Sequence, residues 1–133
     1  MSPNWKPLPH AIKKRRRQRQ ETREDRRARD EIRQLDRYRC RVCGRRTSVV
    51  HEEKRRGAGG PVSPENSYLA CDLDTGGVCH PLLQNRHIHA VRADGSDEFN
   101  AREDLVFEMT EKVAVITFEG RERPAHVRIV EGL

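Results

Sequence analysis

The tightest constraint on this chain is the spacing of its four cysteines, Cys40-x2-Cys43 and Cys71-x7-Cys79. Tetrahedral thiolate coordination needs two pairs of sulfurs on separate turns, each pair close enough to chelate. The first pair satisfies this as a knuckle closed by Gly44. The second is wide and needs the bend at Asp74-Thr75-Gly76-Gly77 to bring its sulfurs together. With 34% hydrophobic and 36% charged residues among 133, the chain is one domain short of apolar material, and a metal staple is the natural supplement. Nothing in it reads as a membrane span or export signal, since the longest apolar run, residues 113–118, is only strand-sized. A cytoplasmic chain is therefore expected, in which cysteines serve as metal ligands rather than disulfides. The expectation is one structural Zn2+ on Cys40, Cys43, Cys71 and Cys79.

Charge divides the chain. Residues 1–46 hold 17 Lys/Arg against 6 Asp/Glu, and the remainder 10 against 15. A basic half joined to an acidic half points to a polyanion-binding face. Residues 1–11, with three prolines, read as a mobile leader in which Trp5 and His10 are incidental. Residues 12–36 lack Gly and Pro and read as a basic helix or arm, with opposite charges at helical spacing in Asp25/Arg29, Arg26/Asp30 and Arg27/Glu31. Ala28, Ile32 and Leu35 form an apolar stripe in its second half, so only that half can dock on a core. Lys13, Lys14, Arg15, Arg16 and Arg17, together with Lys54, Arg55 and Arg56 in a glycine-rich loop, are the candidate phosphate contacts.

Between these features the chain alternates short elements. Residues 47–50 predict a strand that delivers His51, and residues 68–70 a second strand leading to Cys71. Residues 79–84 start a helix that tolerates Pro81 in its first turn. Residues 87–91 alternate as a strand. Residues 105–107, 113–118 and 127–130 predict further strands in a β-rich extension over 93–133. The fold class expected is α+β: a basic N-terminal helix, a zinc-braced core over 37–92 and the C-terminal β extension.

The order of Cys40-x2-Cys43, His51, Gly59-Gly60, Asn66, Cys71 and Cys79-His80 resembles the zinc-knuckle, phage-type branch of the HNH endonucleases. The resemblance covers residues 36–89. It implies a ββα-metal core with one divalent ion, Mg2+ or Mn2+, and hydrolysis of DNA phosphodiester bonds, double-stranded DNA being the expected partner. Carried over residue by residue, His80 is the metal ligand at the helix start and Asn66 the clamp that fixes the loop. The first strand of the family offers two successive residues, a metal ligand and then a general-base histidine. Counting back from Gly59-Gly60 places His51 at the ligand position and Glu52 at the base position, the preferred register. A loop one residue longer makes His51 the base instead and leaves Val50 where a ligand belongs. Glu52 is also able to ligate the ion itself, because carboxylates suit Mg2+ and Mn2+.

Other polar residues carry weaker expectations. Gln84 stands where the family often has a further ligand. His87 and His89 read as surface or strand histidines, His126 has no assigned role, and Glu53 reads as solvated. The rival expectations are a non-catalytic zinc-ribbon protein binding DNA or RNA, and an interaction module whose Arg-rich helix grips an acidic partner.

Overall fold

The computed structural model describes residues 22–54 and 62–133. The expected leader, the arm residues Lys13, Lys14, Arg15, Arg16 and Arg17, and the loop residues Arg55, Arg56, Gly59 and Gly60 lie outside these. The described chain is α+β. Helix α1 spans Arg23–Leu35. It begins where the Thr22 hydroxyl accepts the backbone N–H of Asp25 at 3.1 Å, satisfying one of the donors that every helix start leaves open. Glu24 and Asp25 in its first turn and Arg33 in its last suit the helix dipole. Of the expected stripe, Ile32 is fully buried and Ala28 half-buried, while Leu35 is 49% exposed. The helix thus docks through one principal apolar anchor.

Polar bonds supply what that narrow contact lacks. Asp36, the C-cap of α1, has a side chain only 3% exposed. Its Oδ2 accepts the N–H of Leu69 at 2.9 Å, and its Oδ1 accepts from Arg41 at 3.2 Å and Arg102 at 2.9 Å. Arg102 also donates to the carbonyls of Pro64 and Ser67, and Arg41 to that of Ala101. One buried carboxylate, neutralised by two guanidiniums, therefore ties α1 to the cysteine knuckle, to the strand region around Leu69 and to the loop near residue 102. Arg37 and Tyr38 follow with φ of 55° each, a left-handed pair that turns the chain back into the knuckle.

The middle of the chain is a strand–strand–helix unit. Strand β1, Val50–Glu52, pairs antiparallel with β2, Ser67–Leu69, placing His51 opposite Tyr68. After β2, Asp72 caps a single 3-10 turn at Leu73–Thr75, Gly76 takes φ of 75°, and helix α2 runs Cys79–Gln84. A second sheet, ordered β3-β4-β5, consists of His89–Arg92, Leu105–Met109 and Val127–Ile129. Its core side chains, Phe107, Met109 and Leu105, join Tyr68, Ile88, Leu83 and Phe118 in one hydrophobic cluster that also includes Cys40, Cys71 and Cys79.

The strand expected over 113–118 is a helix, α3, at Glu111–Phe118. Its β-branched run favours strand locally, but two constraints override that preference. Strands β4 and β5 pair in parallel, which requires a crossover rather than a tight turn. The buried positions are Ala114, Thr117 and Phe118, a helical spacing rather than an alternating one. Thr110 caps the helix start through the N–H of Val113, and Thr117 turns its hydroxyl back onto the Val113 carbonyl at 2.9 Å.

Replacing Asp36 with Ala leaves two buried guanidinium contacts and the Leu69 N–H without their acceptor. It is expected to cost about 3 kcal/mol, because breaking a buried ion pair from one side strands the other charge. Equilibrium denaturation with the zinc site loaded measures this, and a loss below about 1 kcal/mol, the worth of an exposed pair, contradicts it.

Candidate metal centre and histidine cleft

Four sulfurs converge at one point. The ligand atoms of Cys40, Cys43, Cys71 and Cys79 all lie within 4.8 Å of one another, and Cys43 Sγ is 3.6 Å from Cys71 Sγ. Zinc–thiolate bonds of ~2.3 Å in a tetrahedron set sulfurs ~3.8 Å apart, so the donor set and its spacing fit a structural metal such as zinc. Local backbone explains the convergence. The knuckle closes by Gly44 N–H to Cys40 O at 2.9 Å and Cys40 N–H to Arg45 O at 2.8 Å. Across the wide second spacing, His80 N–H bonds Cys71 O at 2.8 Å and Gly77 N–H bonds Asp72 O at 2.9 Å. A side chain at Gly77 would meet Cys71 Cβ and Sγ at 2.5 Å each. The absence of a side chain there is what lets the bend pass over the sulfur.

Bare thiols packed this closely share protons unevenly. Contact with Cys40, then with Cys71 and Cys79, holds Cys43 far below the usual thiol range. Contact with Cys40 brings Cys71 down to about 7. Hydrogen bonding to Cys43 pushes Cys40 up, and hydrogen bonding to Cys40 pushes Cys79 up. Only a cation in their midst stabilises all four as thiolates.

Beside the sulfurs, the strand–strand–helix unit opens a cleft of about 510 Å³ lined by Arg29, Val50, His51, Glu52, His80, Gln84 and Asn85. His51 and His80 face each other across it, ring centroids 5.4 Å apart and planes at 79°. His80 donates from Nδ1 to Asp72 Oδ2 at 2.9 Å, which leaves its Nε2 as the nitrogen with a lone pair to offer. His51, 6% exposed, packs edge-on against Tyr68 at 5.2 Å and has Nε2 3.6 Å from Glu53 Oε2. Each imidazole is thus backed by its own carboxylate.

Glu53, expected to be solvated, is instead held in place: its side chain is 15% exposed. Oε2 accepts the Tyr68 hydroxyl at 3.0 Å and Oε1 faces Arg86 Nη1 at 3.4 Å. Burial alone would raise its pKa, but the nearby His51, the Tyr68 hydrogen bond and the Arg86 charge outweigh burial and hold it below the usual carboxylate value. Asp72 is also held low, first by the Leu73 N–H and then by His80. The deeply buried Tyr68 phenol is pushed well up by burial and by the Glu53 charge. Glu52 has its Oε1 3.4 Å from Arg29 Nη2 on α1. Asn66 spans the loop ends, donating from Nδ2 to Lys54 O at 3.1 Å and accepting Lys54 N–H on Oδ1 at 3.0 Å.

The structure therefore brings His51, Glu52, His80 and Gln84 to one cleft and sets Asn66 at the neck of the loop behind it. His87 and His89 do not line the cleft; His87 borders a separate groove with Leu82 and Ile116. His126 pins the end of the second sheet to the knuckle through Nε2 to Val42 O at 2.9 Å. Sequence reasoning missed Glu53, Asp72 and Arg29 at the site. A signal existed for Glu53, because residues two apart in extended chain share a face, and Glu53 follows β1 two residues after His51. Asp72, eight residues before His80, offered none.

These features define a small α+β chain with a cluster of four cysteines that can hold a structural metal and, next to it, a carboxylate-backed histidine pair. Comparison with protein families, curated proteins and solved structures finds no match to this chain. Among the described residues no helix is long and apolar enough to cross a membrane.

The protein purified without chelator is expected to carry one zinc ion per chain by elemental analysis. Gly77→Ala should lose that zinc to a colorimetric chelator at least about tenfold faster, because its methyl group displaces the Cys71 sulfur. Equal zinc retention in both proteins would mean that the close approach at Gly77 is not what shapes the site.

Proposed function

We propose that the protein is an endonuclease of the HNH kind, hydrolysing DNA phosphodiester bonds with one divalent metal, Mg2+ or Mn2+, beside a structural Zn2+ on the four cysteines. The observation that carries this reading is the pair His51 and His80. Two imidazoles meet across an open cleft at the start of a helix that follows a two-stranded hairpin, each with one nitrogen facing a carboxylate, at 2.9 Å for His80 and 3.6 Å for His51. A histidine pair serving only the core would have no need of the cleft, and metal-ligating histidines characteristically donate their second N–H to a carboxylate.

On this reading His51 and His80 would hold the divalent ion, with nearby carboxylates supplying the oxygen donors that Mg2+ and Mn2+ favour. When bound, the ion supplies charge neutralisation at the phosphate and at the departing oxygen. Glu52 takes the proton of the attacking water, whose oxygen forms the new bond to phosphorus as the bond to the sugar oxygen breaks. Arg29 sets a guanidinium at the lip of the same cleft, where it meets both Glu52 and an incoming phosphate. Asn66 holds the ends of the loop that follows β1, so that His51 and Glu52 keep their places. The basic N-terminal arm, with Lys13, Lys14, Arg15, Arg16 and Arg17, and the loop residues Lys54, Arg55 and Arg56 supply sequence-independent attraction to the duplex.

A binding protein on the same scaffold would share the salt-dependent affinity, so turnover is the discriminating measurement. Supercoiled plasmid is expected to be nicked or linearised with Mg2+ or Mn2+, and cleavage to stop with EDTA. His80→Ala and His51→Ala are each expected to lower the rate at least about 100-fold, the scale of losing a charge-stabilising contact in the transition state. Glu52→Ala is expected to lower kcat by about 100-fold or more, and an unchanged rate would pass the proton-accepting role to His51. Zinc-loaded, folded protein that cuts nothing with any divalent metal would leave the non-catalytic binding protein as the reading that stands.

A further inference from the structure

Three features outside the assigned roles stand out in the described chain: the apolar groove of Leu82, Val113 and Ile116, the pocket along residues 90–97, and the half-buried carboxylate of Glu53. Only the last has partners that say what it does. Glu53 is half-buried beside a histidine, takes a hydrogen bond from the Tyr68 phenol on one oxygen, and faces Arg86 with the other.

We propose that Glu53 is the positioning residue of the cleft: held by Tyr68 and Arg86, it favours His51 as the Nε2–H tautomer and so leaves the lone pair on Nδ1. Asp72 does the converse for His80, whose Nδ1–H it accepts at 2.9 Å, leaving Nε2. The two rings thereby present unlike nitrogens, Nδ1 from the strand and Nε2 from the helix. This rests on the nuclease reading for its purpose, but the tautomers are a property of the chain itself.

The geometry supports the assignment in three ways. Tyr68 lies opposite His51 in the β1–β2 register and contacts it ring to edge at 5.2 Å, so the phenol that holds Glu53 also packs the imidazole. Tyr68 is fully buried, and its hydroxyl needs an acceptor there; Glu53 is that acceptor. Glu53 N–H bonds Asn66 O at 2.8 Å, which fixes the backbone from which the carboxylate projects. Glu53 Oε2 stands 3.6 Å from His51 Nε2, and an ionised carboxylate, which only accepts, favours the tautomer that carries the proton on the nitrogen facing it.

The test uses the full-length, zinc-loaded protein with 15N-labelled histidine. Long-range 1H–15N spectra at neutral pH are expected to show His51 as Nε2–H and His80 as Nδ1–H. In Glu53→Gln, whose amide can present N–H to the ring, His51 is expected to shift substantially toward Nδ1–H. Its affinity for Mn2+ alone should fall about 10- to 100-fold, the usual effect of removing a ligand's outer partner, with the zinc retained. Tyr68→Phe, which frees Glu53 without touching the ring nitrogens, should shift the tautomer in the same direction by a smaller amount; it also serves if Glu53→Gln fails to fold. Glu52→Gln should leave the His51 tautomer as in the wild type. Finding Nδ1–H on His51 in the wild type, or the same tautomer and Mn2+ affinity in Glu53→Gln, would overturn the proposal. Wild-type tautomers as stated in a protein that neither binds Mn2+ nor cuts DNA would sink the nuclease reading and leave the positioning role in place.

Discussion

Convergence of four sulfurs within 4.8 Å is the constraint on which the rest of the structure depends. Cys71 ends the segment leaving β2, and Cys79 is the first residue of α2. Holding these two atoms together therefore fixes how the helix leaves the hairpin. His80 follows Cys79 directly, and His51 sits on the strand paired with β2, so the sulfurs bring the two imidazole-bearing backbones together. A chain this poor in apolar residues gains little from its core alone. Metal coordination at this junction would stabilise the hinge that the functional reading needs rigid, which makes the staple and the site parts of one construction.

The Asp36 carboxylate does for the basic helix what the sulfurs do for α2. With Ile32 as the principal apolar anchor, α1 has too little buried area to fix its angle. Asp36 supplies direction, because a carboxylate bonded to Leu69 N–H, Arg41 and Arg102 accepts only one placement. Arg33 adds a second fixed point by donating from Nε to Ser48 O at 2.9 Å. Together they lay α1 along the start of the hairpin, and Arg29 comes to the lip of the cleft. The charged helix and the histidine cleft are thus registered to each other by buried polar bonds, which are directional where hydrophobic contact is not.

Much of this was legible in the sequence where the information is local. Cysteine spacing, the glycines that permit the bend at residues 76–77, the hairpin around His51 and the helix start at Cys79 all follow from neighbours in the chain. Residues 113–118 did not, because Val113, Val115 and Ile116 favour strand in isolation, and only the parallel pairing of β4 with β5 forces a helix between them. The histidines were visible and their partners were not. Asp72 reaches His80 across a turn of eight residues, Arg29 reaches Glu52 from another element, and the carboxylate of Glu53 looked like one more surface charge until the burial of Tyr68 showed what it was needed for. Asp36 likewise gave no sign that two arginines, one of them 66 residues away, would meet on it.

The charge arrangement of the cleft bears on how a nuclease of this design would work. Its lining and backing include three carboxylates, Glu52, Glu53 and Asp72, and the nearest guanidiniums are already committed, Arg29 to Glu52 and Arg86 to Glu53. A phosphate entering such a cleft would meet guanidiniums shared with carboxylates and, among the described residues, an Asp72 carboxylate whose ion-pair partner is only His80. On the proposed reading the basic arm would draw a duplex to the surface, but that would not by itself make the cleft hospitable to an anion, since exposed charges are screened within about 10 Å at moderate salt. A divalent cation between the imidazoles reverses the local sign. On the proposed reading the ion therefore does two things that a histidine–carboxylate cluster alone does not: it admits the phosphate and it completes the chemistry. On that reading the carboxylates behind the rings would also have a purpose, because the same groups that would repel the substrate would hold the rings ready for the metal.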